Sequence, residues 1–233
     1  MHNQKIYVVT AADHNFKDLL LKCAESTQFW GYKTFIYDLG GLGVGKPFSG
    51  KVSDEPNAKI PCKPAIIKDA LKNLTYGDTL AWLDADCIMW NKIDGIVGDY
   101  NIGVTVRRPK DVENELPINA GVVFVRKTAE TLSFIDTWIN KCNDGVSDQV
   151  ELNKLCKVST KDLGQTVDRN FSMPLKIKVF PCDVYNNFYF KKTQLHASII
   201  HYKHKHRYRW PERTVRKIPK GFEGDRSPYV ETK

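Results

Sequence analysis

Three kinds of segment are missing from this sequence, and each absence argues against a class of protein. No apolar run approaches about 18 residues, so we expect no membrane span. The six cysteines form no Cys-x-x-Cys pair, which argues against a zinc or redox motif and favours reduced thiols. The first residues lead directly into a strand-like segment, without a signal peptide. These absences predict a cytoplasmic protein.

The composition is that of an ordinary globular protein with one basic segment. The chain has 233 residues, of which 42% are hydrophobic and 27% charged, enough for one good-sized core. The net charge is +8, and residues 201–220 carry eight Lys and Arg against one acid, Glu212. A positive field of this strength attracts anions such as phosphate, nucleic acid or acidic lipid.

Two carboxylates directly follow an apolar run and are the centre of the functional prediction. Residues 79–83 read as a strand buried on both faces, preceded by a turn signal. Alternation along a strand predicts that Asp84 and Asp86 point the same way while Ala85 points the other. Two adjacent carboxylates repel each other unless they share a proton or hold a cation, and the sequence favours a hard divalent cation. The alternative is that both aspartates only cap the next turn.

Strand and helix patterns alternate along the chain. Strands are predicted at 5–10, 34–37, 79–83, 102–106, 118–125, 177–180 and 198–201. Helices are predicted at 15–26, 64–74 and 147–155, with another capped near Thr128. This alternation predicts an α/β protein whose sheet is mostly parallel at its start. We expect a single domain over residues 1–222 and a polar tail over 223–233.

Two other functions compete for parts of the sequence. Gly40 to Lys46 has the Gly-x-x-x-x-Gly-Lys spacing of a phosphate-binding loop, but Pro47 stands where the metal-binding Ser or Thr should be, which argues against an NTPase. A basic and aromatic segment, residues 202–216, fits a nucleic-acid-binding protein. That alternative leaves the carboxylate pair unexplained, and we expect no nucleic-acid partner.

Five motifs, taken in order, resemble the GT-A glycosyltransferases, and most closely glycosyltransferase family 8, the glycogenin and lipopolysaccharide galactosyltransferase type. The motifs are Thr10-Ala11-Ala12, Leu83-Asp84-Ala85-Asp86, Asn119-Ala120-Gly121-Val122, Ser147-Asp148-Gln149 with Leu152-Asn153, and Ile200-His201-Tyr202. The resemblance covers about residues 5–210. It implies a single GT-A (Rossmann-like) domain with a central, mostly parallel mixed sheet flanked by helices.

The resemblance also implies roles for individual residues. Asp84, Asp86 and His201 would bind Mn²⁺, with Mg²⁺ as the alternative metal. Asp148 and Gln149 would act at the reacting sugar, and Asp148 could cap a helix at the same time. Contacts to the nucleotide sugar would come from Thr10, Ala11, Ala12, Lys63, Asp84, Ala85, Asn119, Ala120, Lys205 and Arg207.

Two of these contacts remain open on the sequence alone. Family 8 has Gly and then Lys-Pro-Trp after its metal-binding His, whereas this chain has His204 in the Gly place. Lys205 or Arg207 would then replace the Lys that grips the diphosphate. Lys63 fits a basic nucleotide contact and fits a solvated surface Lys equally well.

The predicted reaction is transfer of a hexose from a UDP-sugar donor to a glycan or other hydroxyl acceptor. The resemblance favours glucose or galactose over xylose as the sugar. It also implies retention of the anomeric configuration, while inversion with Asp148 as the base stays an alternative.

Overall fold

The structure is a computed structural model that describes residues 4–48, 62–112, 116–142, 146–188 and 196–203. Within these ranges no helix has both the length and the apolar composition needed to cross a membrane. Lys205, Arg207 and the boundary predicted at residue 222 lie outside the described residues. The division into a domain and a tail therefore stays a prediction.

The described residues form ten strands and five α-helices. The strands are β1 (Ile6–Ala12), β2 (Lys33–Asp38), β3 (Lys46–Pro47), β4 (Thr79–Leu83), β5 (Cys87–Met89), β6 (Ile102–Val106), β7 (Ile118–Arg126), β8 (Thr166–Asn170), β9 (Pro174–Pro181) and β10 (Ile199–His201). The helices are α1 (Lys17–Phe29), α2 (Cys62–Leu71), α3 (Ala129–Cys142), α4 (Asp148–Cys156) and α5 (Cys182–Tyr185). All seven predicted strands are present, and β3, β5 and β8 were not predicted.

Eight strands form one mixed sheet in the order β3-β2-β1-β4-β7-β6-β9-β8. The pairs β3–β2, β2–β1, β1–β4 and β6–β9 are parallel, and the other three pairs are antiparallel. The prediction of an α/β fold with a mostly parallel central sheet is therefore confirmed. Strand β7 changes the direction of the sheet because it lies antiparallel to both of its neighbours, β4 and β6.

The central strands are apolar because both faces of the sheet are covered. Every residue of β4 and β6 is buried, which explains their uninterrupted apolar runs. One face of the sheet packs against α2, α3 and α4, through residues such as Ile66 and Trp138. The other face packs with Cys23 of α1. Helix α3 begins as predicted, because the Thr128 hydroxyl accepts a hydrogen bond from the Thr131 amide at 3.2 Å.

The Gly-rich loop after β2 does not have the geometry of a phosphate-binding loop. The Asp38 carboxylate already accepts hydrogen bonds from the backbone amides of Gly40, Leu42 and Gly43, at 2.7, 3.1 and 3.2 Å. Lys46 pairs with Asp69 at 2.5 Å. The amides and the lysine that would bind a phosphate are thus occupied, which agrees with the argument from Pro47 against an NTPase.

Candidate functional site

Asp84 and Asp86 lie in a tight turn directly after β4. The Cys87 amide donates to the Asp84 carbonyl at 2.9 Å, and the Asp84 amide donates to the carbonyl of Gly121 on β7 at 2.9 Å. Both carboxylates face the same imidazole: His201 Nε2 lies 3.0 Å from Asp86 Oδ1 and 3.9 Å from Asp84 Oδ2. The aspartates converge as predicted, but through the turn rather than through strand alternation.

A small second sheet brings His201 to the carboxylates. Strands β5 and β10 pair antiparallel, with His201 directly opposite Cys87. The Tyr202 amide then donates to the Asp86 carbonyl at 2.8 Å and extends this pairing to the turn. Donor atoms of Asp86, Cys87 and His201 lie within 4.8 Å of one another, which is close enough to share an ion. The site thus combines carboxylate oxygen, imidazole nitrogen and a buried thiol.

Lys63 joins the carboxylate turn to the start of α4. Its Nζ lies 3.1 Å from Asp84 Oδ1 and 2.9 Å from Asp148 Oδ2, and it donates to the Ala120 carbonyl at 2.8 Å. The same ammonium lies 5.4 Å from the centre of the Trp82 ring. The side chain is only 11% exposed. The interpretation of Lys63 as a solvated surface lysine is therefore wrong, because α2 turns this residue into the site.

The charges around Lys63 keep the group ionised. Burial alone would lower the pKa of Lys63, but Asp148 and Asp84 outweigh burial and raise it. Burial would likewise raise the pKa of Asp84, whereas Lys63 and His201 outweigh burial and Asp86 and lower it. Asp84 is therefore held as a carboxylate, with one oxygen toward Lys63 and the other toward His201.

Asp148 and Gln149 are brought to the same place by the first turn of α4. Ser147 holds the N-cap position of this helix, and the Asp148 carboxylate contacts Lys63. Gln149 Oε1 accepts a hydrogen bond from the Ala120 amide at 3.2 Å. Capping by Asp148 is thus not its main contact, and both residues lie beside the 119–121 segment of β7.

Asn119 and Gly121 frame the centre of this site. Asn119 is 1% exposed, and its Nδ2 has no hydrogen-bond partner among the described residues. Gly121 leaves room for the imidazole, since a Cβ there would lie 2.2 Å from His201 Cε1 and 3.3 Å from Asp84 Oδ2. A buried amide without a partner normally indicates a missing polar group, such as a bound ligand.

The Gly121→Ala substitution should displace His201 from the two carboxylates. Contacts below 3.0 Å are not tolerated, and overpacking of this kind costs about 1–3 kcal/mol of stability. We expect divalent-metal affinity, measured by calorimetry, to fall at least about tenfold. Gly103→Ala, on the neighbouring strand β6, is the matched control, because its Cβ would lie 2.7 Å from the ring of Phe180 on β9. Equal loss of metal affinity in both variants would contradict a specific role of Gly121 in placing His201 beside the carboxylates.

The other predicted contacts lie around the end of β1 and the turn. Thr10, Ala11 and Ala12 are at most 9% exposed, and Ala12 packs in a cluster with Ala85. The small residues are thus adjacent to the carboxylate turn.

Several residues at the site were not found from the sequence. Asn186 is fully buried, and its Oδ1 lies 2.8 Å from His201 Nδ1. This residue belongs to no recognisable sequence motif. Lys203 lies 5.2 Å from the centre of the Phe188 ring, and its charge interacts with Arg107 and Asp84. Only the general basic character of residues 201–220 indicated Lys203.

Solved structures show which fold this is. A glycosyltransferase involved in glycosylation of the major capsid of PBCV-1 is 16% identical, with a TM-score of 0.61 over 91% of this chain and 98% of its own. GlyE of Streptococcus pneumoniae TIGR4 is 16% identical, with a TM-score of 0.57 over 87% of this chain and 55% of its own. The galactosyltransferase LgtC, solved with donor and acceptor sugar analogs, is 14% identical, with a TM-score of 0.50 over 91% and 94%. The chain has the GT-A glycosyltransferase fold.

The sequence itself assigns the family. Residues 78–209, more than half of the chain, match the nucleotide-diphospho-sugar transferase family. The chain therefore belongs to that family, and the resemblance to glycosyltransferase family 8 is confirmed. Among curated proteins, no sequence matches this chain significantly.

Proposed function

We propose that this protein is a metal-dependent glycosyltransferase that moves a hexose from a UDP-sugar to a glycan or other hydroxyl acceptor. One observation carries the proposal: Asp84, Asp86 and His201 converge next to Lys63, which forms ion pairs with both Asp84 and Asp148. A purely structural cluster would not need two carboxylates and a histidine in contact at the end of β4. Ligands of open α/β sheets bind at such strand ends.

The residues present fit a divalent ion. Asp84 Oδ2, Asp86 Oδ1 and His201 Nε2 would hold it, because both carboxylate oxygens lie within 3.9 Å of this ring nitrogen and the absence of a side chain at Gly121 leaves room for the imidazole. Oxygen and imidazole ligands suit Mn²⁺, with Mg²⁺ as the alternative. When bound, the ion would neutralise negative charge that develops on the diphosphate leaving group.

The remaining residues would bind and orient the sugar. Asn119 Nδ2, which lacks a partner among the described residues, would donate to a hydroxyl of the donor or acceptor. Asp148 and Gln149 would stabilise positive charge at the anomeric carbon, as carboxylates do in glycoside hydrolysis. Lys63 would fix the Asp148 carboxylate and contribute positive charge near the leaving group.

The nucleotide would occupy the edge of the site next to β1. Thr10, Ala11 and Ala12 would flank the base, and Ala85 would lie against the ribose. Lys205 or Arg207 would grip the diphosphate in place of the lysine that family 8 has. We further propose glucose or galactose as the sugar, retention of configuration, and a transferase domain that covers residues 1–222.

Mn²⁺ and UDP should stabilise the protein together more than the sum of their separate effects. The diphosphate would supply part of the metal's ligands, so each ligand should bind more tightly when the other is present. The measurement is the melting temperature with Mn²⁺, with UDP and with both. ADP and GDP are the controls, and shifts equal to that of UDP would contradict the choice of nucleotide.

A further inference from the structure

The Nδ1 side of the His201 ring is held by a chain of buried hydrogen bonds. His201 Nδ1 and Asn186 Oδ1 lie 2.8 Å apart, and the two residues are 3% and 0% exposed. Asn186 Nδ2 donates to Thr105 Oγ1 at 2.8 Å and to the Asn119 carbonyl at 3.0 Å. The hydroxyl of Thr105 in turn donates to the same carbonyl at 2.9 Å.

This chain of bonds fixes which way the Asn186 amide faces. The Thr105 hydroxyl donates its one proton to backbone carbonyls, that of Asn119 at 2.9 Å or that of Val122 at 3.3 Å, so its lone pair must accept from a donor. A flipped Asn186 would set its own oxygen against the Asn119 carbonyl and, because Thr105 has only one proton to donate, would leave a buried acceptor without a donor. The amide oxygen therefore points to the histidine. Since that oxygen can only accept, the ring nitrogen opposite it must donate.

The backbone keeps Asn186 in this position. The backbone amide of Asn186, directly after α5, donates to the carbonyl of Cys182, the first residue of that helix, at 3.0 Å. The next residue, Asn187, pairs with β10: its amide donates to the Ile199 carbonyl at 2.9 Å, and its carbonyl accepts from the His201 amide at 2.8 Å. Asn186 is thus held against β10 on the side opposite β5.

We propose that Asn186 is a positioning residue that holds His201 in the Nδ1–H tautomer. A proton then stays on the nitrogen that faces Asn186, and Nε2, which faces Asp86 and Asp84, is the nitrogen left to give up its proton to an ion bound there. A histidine that donates its other ring N–H to a fixed acceptor is oriented for metal binding and is a better ligand. The metal part of this inference rests on the proposed function, whereas the tautomer does not.

The position of the proton can be observed directly by ¹⁵N NMR of the metal-free protein with labelled histidines. The His201→Gln variant assigns the His201 signals. We expect a protonated Nδ1, while Nε2 can donate to Asp86 as long as no ion is bound. An unprotonated Nδ1 in the native protein would overturn the proposal without any reference to metal or activity.

Substitution then tests whether Asn186 is the cause. Asn186→Ala should let the proton move from Nδ1 to Nε2, which faces Asp86, and should lower Mn²⁺ affinity, measured by calorimetry, by about tenfold to a hundredfold. Asn186→Asp keeps an acceptor for Nδ1–H, so Nδ1 should stay protonated, whereas its second oxygen faces the Asn119 carbonyl and should lower stability. Asn187→Ala is the matched control, since it removes a neighbouring buried amide that donates to the Asp183 carbonyl. An unchanged tautomer in Asn186→Ala, or equal loss of affinity in both alanine variants, would overturn the proposal.

A failure of the proposed function would look different. Suppose that neither the native protein nor any variant bound Mn²⁺, while His201 Nδ1 stayed protonated in the native protein. The metal assignment would then be wrong, and the positioning of His201 by Asn186 would stand.

Discussion

Replacement of Asp86 by asparagine should lower Mn²⁺ affinity and UDP-sugar turnover together, each by at least about a hundredfold, which corresponds to about 2.7 kcal/mol. Asp86 is 3% exposed, and its Oδ1 lies 3.0 Å from His201 Nε2. Little water can therefore reach the site to take the place of the lost carboxylate charge. The substitution keeps the shape of the side chain and removes one negative charge. The measurements are calorimetric Mn²⁺ binding and Mn²⁺-dependent UDP release.

The free energy of unfolding of Asp86→Asn distinguishes a metal ligand from a capping residue. Without metal, Asp86→Asn relieves repulsion between two carboxylates, so the free energy of unfolding should be unchanged or higher. A capping aspartate would instead cost about 1 kcal/mol of stability, with little change in turnover. His201→Ala should resemble Asp86→Asn more mildly, since two carboxylates would remain. Near-native UDP release from Asp86→Asn would remove the main support for metal dependence.

Asp69→Asn is the control for loss of a carboxylate away from the site. Burial opposes ionisation of Asp69, but Lys46, Tyr37 and Lys72 outweigh it and lower its pKa to about 2. Because this pKa is depressed, the stabilisation is present above the unfolded-state value near 4 and disappears as the pH falls toward 2. Asp69→Asn should therefore cost stability at neutral pH and little near pH 2, with Mn²⁺ affinity unchanged.

The sequence predicted the large elements and the carboxylate pair well, because both depend on local patterns. The run Thr79–Leu83 is apolar since the strand is covered on both faces, and the aspartates follow where it leaves the sheet. Strand β5 has three residues, too few for alternation to show a period, so its pairing with the predicted strand β10 was not found. Only the resemblance to a family indicated that His201 reaches Asp86.

The contacts that sequence analysis missed are formed by residues far apart in the chain. Asn186 contacts Thr105, Asn119 and His201, and these four residues lie in four separate segments of the chain. No local sequence pattern can predict such contacts. Lys63 had two interpretations, because the sequence near the start of a helix does not show whether a single basic side chain points into the protein or into solvent. The packing of α2 against α3 and the sheet decided between them.

Replacement of Lys63 by methionine should nearly abolish turnover while Mn²⁺ affinity is kept or increased. The ammonium contacts Asp84, Asp148 and the Ala120 carbonyl at 3.1, 2.9 and 2.8 Å, and methionine retains the length of the side chain without the charge. Loss of the ammonium leaves two carboxylates without their shared partner, so Asp148 loses its fixed position. The added negative potential at Asp84 favours a cation, in contrast to Asp86→Asn, which should lose both metal and turnover.

The Lys63→Met substitution should also change stability and pH dependence. Removal of one partner from a largely buried ion pair costs about 3 kcal/mol, to be measured by urea unfolding. The pKa of Asp84, now lowered by Lys63, should rise, so the acidic limb of the pH–rate profile should move to higher pH.

Lys68→Met is the control on the same helix, because Lys68 pairs with Asp136 on the surface, with both side chains at least 42% exposed. Its stability should change by less than about 1 kcal/mol, and its turnover should be native. If Lys63→Met turned over sugar at a native rate, Lys63 would only connect α2 to the sheet, and Asp148 would not depend on it for catalysis.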